Sequence, residues 1–210
     1  MSQPVVLDEA ALGRAVSELI GRDARLSPIV QTWGTPPLWA REPGFSTLLR
    51  IILEQQVSLA SARAAYTRLE SAIGPVTPEA FLQLDDARLK AIGFSRQKTA
   101  YGRGLAEAIL AGRVDLTRLA EAEDDVAFEQ LKRIKGVGAW TAHIYLLMAL
   151  LRPDVWPAGD RALAVATQGV LGLLACPSPA ELETIGVAWQ PWRAVAARLL
   201  WHYYLNRSRS

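Results

Sequence analysis

Residues 131–160, LKRIKGVGAWTAHIYLLMALLRPDVWPAGD, restrict most tightly how this chain can fold. Leu131 and Ile134 lie one helical turn apart, Gly136-Val137-Gly138 interrupts, and Trp140, Thr141, Ile144, Leu147 and Met148 resume helical spacing. The pattern predicts helix, tight turn, helix, because glycine accepts positive φ and lets a second backbone approach closely. The turn feeds a helix N-terminus, whose N–H groups suit a phosphate oxygen. Pro157-Ala158-Gly159 then predicts a loop delivering the Asp160 carboxylate to the start of the next helix.

The rest of the chain reads as many short helices with tight connections. Asp8 caps a helix over 8–20 with Leu12, Val16 and Leu19 or Ile20 inside. The Pro- and Gly-dense stretch 31–44 predicts an irregular connection, with Trp33 and Trp39 as packing anchors. Phe45–Glu54 is a helix running into Gln55-Gln56-Val57-Ser58, where Ser58 caps the next, which Gly74 closes. Thr77-Pro78, Asp85 or Asp86, Ser95, Asp115, and Asp124 or Asp125 start further helices. Another follows at about 160–172, Ser178-Pro179-Ala180-Glu181 has the form of a capping box, and a last helix spans Pro191–Asn206 before a frayed tail, NRSRS. No stretch alternates with period two, so the expected fold is all-α.

Composition narrows the function. Half of the 210 residues are apolar, enough for a sizeable interior, and the net charge is +2. Nucleic-acid binding would therefore need a local basic patch and backbone amides rather than a polycationic surface. The lone Cys176 excludes a disulfide framework and a four-cysteine iron–sulfur cluster within one chain. The apolar run 144–151 is too short to span a bilayer, and MSQPVVLDEA lacks the features of a signal peptide. A cytoplasmic protein is expected, nucleoid-associated if bacterial. No His/Asp/Glu/Cys set has metal-site spacing, and His143 and His202 read as packing or surface histidines.

LKRIKGVGAWTA resembles the hairpin of the helix-hairpin-helix DNA glycosylase superfamily, and WPAGDRAL resembles its Gly/Pro-rich loop with the catalytic aspartate. Trp140, ILEQQVS at 52–58 and PWRAVAARLLW at 191–201 are similar to the 3-methyladenine DNA glycosylase II branch. The resemblance runs from about Phe45 to Trp201. It implies two helical lobes with an active-site cleft between them: a barrel-like lobe over 45–152 ending in the hairpin (131–151), and a second lobe from 1–44 plus 153–210. It implies a monomeric, monofunctional glycosylase that flips and hydrolytically excises alkylated purines from damaged double-stranded DNA. The alternatives are a glycosylase for oxidised or deaminated bases, or a non-catalytic DNA-binding hairpin protein.

Residue by residue, two readings stand side by side. Asp160 alone reads as an N-cap. The resemblance makes it the carboxylate facing the sugar, where oxocarbenium-like charge develops as in glycoside hydrolysis. Trp140 alone is a core aromatic. By resemblance it replaces the lyase branches' Schiff-base lysine and, with Trp201 and Ile144, lines the base pocket. The hairpin alone is a helix corner; by resemblance Gly136, Val137, Gly138, Ala139, Thr141 and Lys135 meet DNA. Carbonyls of Lys132, Ile134 and Val137 would bind a monovalent cation, Na+ or K+, with DNA present. Gln56, otherwise a helix-end polar residue, would fill the hole left by the flipped nucleotide. Arg161 would meet a phosphate or pair with a surface acid. Lys132, Arg133, Lys135, Arg96 and Lys98 are candidate phosphate contacts, with those beside the hairpin favoured.

Overall fold

The computed structural model describes residues 4–207, and every regular element among them is helical. The tail beyond Arg207 lies outside the described residues. The helices are α1 (Glu9–Arg22), α2 (Ser27–Trp33), α3 (Phe45–Glu54), α4 (Leu59–Ile73), α5 (Pro78–Leu82), α6 (Asp86–Ile92), α7 (Arg96–Leu110), α8 (Leu116–Ala120), α9 (Asp124–Lys132), α10 (Ala139–Met148), α11 (Arg161–Leu171), α12 (Pro179–Gly186) and α13 (Arg193–Asn206). The fold is all-α, as expected.

Local chemistry explains most boundaries. Asp8, Ser58, Thr77, Asp85, Ser95, Asp115 and Asp160 each accept a backbone N–H in the first turn of the helix that follows. Ser178 and Glu181 form a reciprocal capping box. Two expectations need correction. The irregular connection does not begin at residue 31, because α2 runs through Trp33 with Pro28 in its first turn and stops at Gly34. At α9, Glu123 takes the cap position without a side-chain bond, and Asp124 and Asp125 sit inside the first turn, where the helix dipole favours them.

The chain divides into two compact units, one from 41–145 and one from 1–40 plus 146–210. The expected lobe ended at 152; the division instead falls within α10, a single continuous helix. In the 41–145 unit, α7 packs on α3, α5 and α6, and Phe81 joins Phe45 and Phe94 in an aromatic cluster with centroids 5.9 and 5.5 Å away. In the other unit α13 packs against α1, α2 and α11, and is buried on all sides from Ala194 to Trp201.

That burial includes Arg198. Its Nε, Nη1 and Nη2 donate to the carbonyls of Leu38, Ala194 and Leu147 at 2.9, 3.0 and 2.7 Å. Burial pushes its pKa down to about 10. Three carbonyls from separate segments supply the hydrogen bonds that a buried cation requires. In the same unit Trp33 meets Tyr203 edge-on and Trp39 lies against His202, so both act as packing anchors.

Candidate functional site

In the 41–145 unit the hairpin is built by a turn between α9 and α10. Val137 N–H donates to Ile134 O at 3.0 Å, closing a four-residue turn, and Gly136 occupies its third position at φ +92°. That position of the turn calls for positive φ, hence glycine. A second constraint acts on the same residue: a Cβ on Gly136 would lie 2.3 Å from the Tyr101 ring of α7. Ile134 and Val137 are buried and anchor the turn from below. Ala142 N–H donates to Gly138 O at 3.0 Å, which places Gly138 at the cap of α10. Gly138, Ala139 and Lys135 are exposed, so the first turn of α10 presents its N-terminal end beside a lysine.

Thr141 is buried, and its hydroxyl accepts from Gln55 Nε2 at 2.8 Å. Its side chain is thereby committed inward, and its contribution at a helix N-terminus is its amide. The same Gln55 Nε2 donates to Gly136 O at 2.8 Å. Gln56, next in sequence, is exposed and stands at φ +55°. Trp140 is partly exposed on the first turn of α10, whereas Ile144 is only 3% exposed. His143 stacks on Phe128 at 4.5 Å.

The basic residues separate by environment. Lys98 is not a surface cation: its Nζ donates to Leu53 O and Gln55 O at 2.7 and 2.9 Å, closing the C-terminal end of α3. Burial pushes its pKa down. Lys132 pairs with Glu129 at 3.1 Å and lies over the Phe128 ring. Arg96, Arg133 and Lys135 are exposed.

In the other unit, the loop expected before α11 is held by a bond from Asp160 N–H to Pro157 O at 2.8 Å, with Pro157 and Ala158 buried. Asp160 is half-buried, with φ −81° and ψ 121°. Its Oδ1 accepts the Leu163 amide at 2.8 Å and the Trp201 indole N–H at 3.1 Å. The reading of Asp160 as a helix cap holds: its carboxylate caps α11. Trp201, expected as a pocket wall, is 8% exposed and also fixes this carboxylate. Arg161 is exposed, and its Nη1 donates to the Cys176 thiol at 3.0 Å. His202 packs through Trp33 O and Asn206.

Sequence reasoning missed Gln55, Tyr101 and the Trp201–Asp160 bond. Adjacent glutamines at a helix end carry no signal for which faces inward. Tyr101 lies one turn beyond Lys98 on α7, so helical periodicity alone could have paired them.

Among the described residues, no cluster of His, Cys, Asp and Glu could hold a metal ion, and no helix is long and apolar enough to cross a membrane. Comparison with known proteins gives a consistent picture. Residues 49–191 match the family described as HhH-GPD superfamily base excision DNA repair protein. The chain is 28% identical to DNA-3-methyladenine glycosylase 1 of Schizosaccharomyces pombe over 91% of its own length and 87% of that protein's. It is similar to the crystal structure of a DNA-3-methyladenine glycosidase from Bacillus halodurans, with TM-score 0.76 and 31% identity over 93% of this chain and 91% of that one. It is also similar to the S. pombe 3-methyladenine DNA glycosylase in complex with abasic DNA, with TM-score 0.85 and 26% identity over 94% of this chain and 97% of that one.

Proposed function

Since the chain belongs to the HhH-GPD superfamily of base excision DNA repair proteins, we propose that it is a monofunctional, monomeric DNA glycosylase. Its substrates are 3-methyladenine and 7-methylguanine in duplex DNA. The observation that carries this reading is Asp160: a half-buried carboxylate at a helix N-terminus, one oxygen fixed by a backbone amide and an indole.

The chemistry follows from that placement. Methylation at N3 of adenine or N7 of guanine puts positive charge on the purine, so the base can leave with the C1′–N bonding pair without first being protonated. The sugar then carries oxocarbenium-like charge, which an adjacent anion stabilises. A water forms the new C1′–O bond, and its proton passes to the Asp160 carboxylate. One carboxylate is enough because the substrate carries its own leaving-group activation.

The target base is flipped out of the stack. Trp140 offers an electron-rich face for which a cationic purine would gain about 0.5–2 kcal/mol. Gln56, exposed at the head of its loop, fills the vacated space. The hairpin amides and Lys135 hold phosphates and carry no sequence information. A monovalent cation fits the donor chemistry here, since the Lys132, Ile134 and Val137 carbonyls are neutral oxygens. Ile134 O already accepts one hydrogen bond and retains a second lone pair. Such an ion would add positive charge near a phosphate.

The test is a side-by-side measurement of base-release rates on duplexes each carrying one 3-methyladenine, 7-methylguanine or 8-oxoguanine. Both methylated purines should be released faster. Faster excision of 8-oxoguanine would overturn the substrate assignment.

A further inference from the structure

Gln55, not only its neighbour Gln56, stands at a structural junction. Both protons of its amide nitrogen are used, one on Gly136 O and one on Thr141 Oγ1, each at 2.8 Å. Its own carbonyl accepts from Lys98 Nζ at 2.9 Å, and the same ammonium takes Leu53 O at 2.7 Å. Gln55 therefore ends α3, grips both sides of the hairpin turn and is held from below by α7. The α7 face also supplies Tyr101, whose ring sits where a Cβ on Gly136 would be.

What this junction supports is a short exposed tip. Gln56 stands at positive φ, and Val57 and Leu59 are 46% and 64% exposed. Exposed aliphatic side chains beside a backbone in a sparsely populated conformation need surrounding structure to hold them. Here that support is shared with the element that meets phosphate.

We propose that Gln55 is a positioning residue that locks the 56–59 tip to the hairpin, so that gripping the phosphates and pushing into the base stack become one rigid action. This rests on the glycosylase reading of the hairpin and of Gln56. Without the lock, the hairpin still grips, but the tip yields instead of displacing a stacked base. The loss should scale with the cost of extracting that base, which is least for mismatched or single-stranded substrates.

The test replaces Gln55 by Met, which keeps length and removes both donors. Thr141→Val, which removes one acceptor, serves as a milder second variant, and Gln56→Ala as the reference for a lost tip. Two readouts are compared. The first is the ratio of 7-methylguanine release from paired duplex to release from single strand. The second is fluorescence of a 2-aminopurine beside an abasic analogue, which reports unstacking without any base release. Gln55→Met should lower the duplex-to-single-strand ratio by about tenfold or more, as Gln56→Ala does, with undamaged-duplex affinity within about threefold. It should also lose most of the unstacking signal, with Thr141→Val in between.

Equal losses on both strands at unchanged unstacking would show a merely structural role and overturn the proposal. So would an unfolded Gln55→Met accompanied by a Thr141→Val with wild-type ratio and signal. A wild-type protein that unstacks but releases no methylated base would overturn the substrate reading and leave the lock standing on the fluorescence arm. A wild type that does not unstack would overturn both.

Discussion

Replacing Trp201 by Phe removes one hydrogen bond from the carboxylate without removing an aromatic ring. In the native protein Oδ1 of Asp160 takes two donors, the Leu163 amide at 2.8 Å and the Trp201 indole at 3.1 Å. Two opposing effects follow. The indole draws charge from the oxygen, so its loss should strengthen the anion and favour the transition state. Against that, a carboxylate that loses one of its donors is less firmly placed, and a misplacement of about 1 Å can cost about 100-fold. A hydrogen bond to a charged group is worth about 1.5–3 kcal/mol, and each 1.4 kcal/mol is about tenfold in rate. Placement therefore outweighs charge, and the expected loss in kcat is about ten- to a hundredfold. KM should change little, because the bond is made to the carboxylate proposed to act in catalysis and not to DNA. Single-turnover release of 7-methylguanine from a defined duplex measures this, with thermal unfolding as the control for packing. The smaller ring should destabilise the fold by less than the about 3–5 kcal/mol of a truncation to Ala. A folded variant with kcat within twofold of wild type would refute the positioning argument.

Three further outcomes are expected. Asp160→Asn should keep the helix cap and the fold, because Asn caps as well as Asp, yet lose about 100–1000-fold in release while still binding duplex; Asp160→Ala should lose activity and also about 1 kcal/mol of stability in a denaturant titration. The two hairpin glycines should behave differently: Gly136→Val meets the Tyr101 ring at positive φ and should destabilise the fold by about 1–3 kcal/mol or more, whereas Gly138→Val has open space and should weaken duplex binding equally for all sequences. Thermal melts and binding isotherms on two unrelated duplexes separate these cases, and a Gly136→Val as stable as wild type would contradict the close approach. Finally, if Trp140 replaces the lyase lysine as proposed, the protein should leave an intact strand at abasic sites and give no borohydride-trapped adduct, since no lysine lies between Leu151 and Asp160 either; efficient trapping would reverse that assignment.

Features written in a few consecutive residues were legible from the chain. Ser58, Thr77, Ser95 and Ser178 announce helix starts because a cap is a bond across only three residues. Gly136 and the Pro157–Asp160 loop were legible for the same reason, since turn geometry selects residue type locally. What could not be read was reach across the fold. Gln55 and Gly136 are far apart in sequence, and either of two neighbouring glutamines could have made the bond. Lys98 looked like a surface cation until the end of α3 was placed above it. Trp201 was identifiable as an aromatic on the last helix, but the direction of its N–H depends on how α11 and α13 pack. The helix over 27–33 escaped because its seven residues are too few to establish periodicity against the prolines that follow.

The discontinuity of the 1–40 plus 146–210 unit has a consequence for biosynthesis. A ribosome releases α1, with its apolar stripe of Leu12, Ala15, Val16 and Leu19 exposed, well before its partner α13, which emerges only after the whole intervening unit. The 41–145 unit is continuous, so its own internal contacts can form before then and it can condense first. Arg198 and the Leu38 carbonyl it meets are separated along the sequence by the whole 41–145 unit. The N-terminal helix thus waits through most of translation as an unpaired amphipathic segment, the stage at which aggregation or chaperone capture competes with folding.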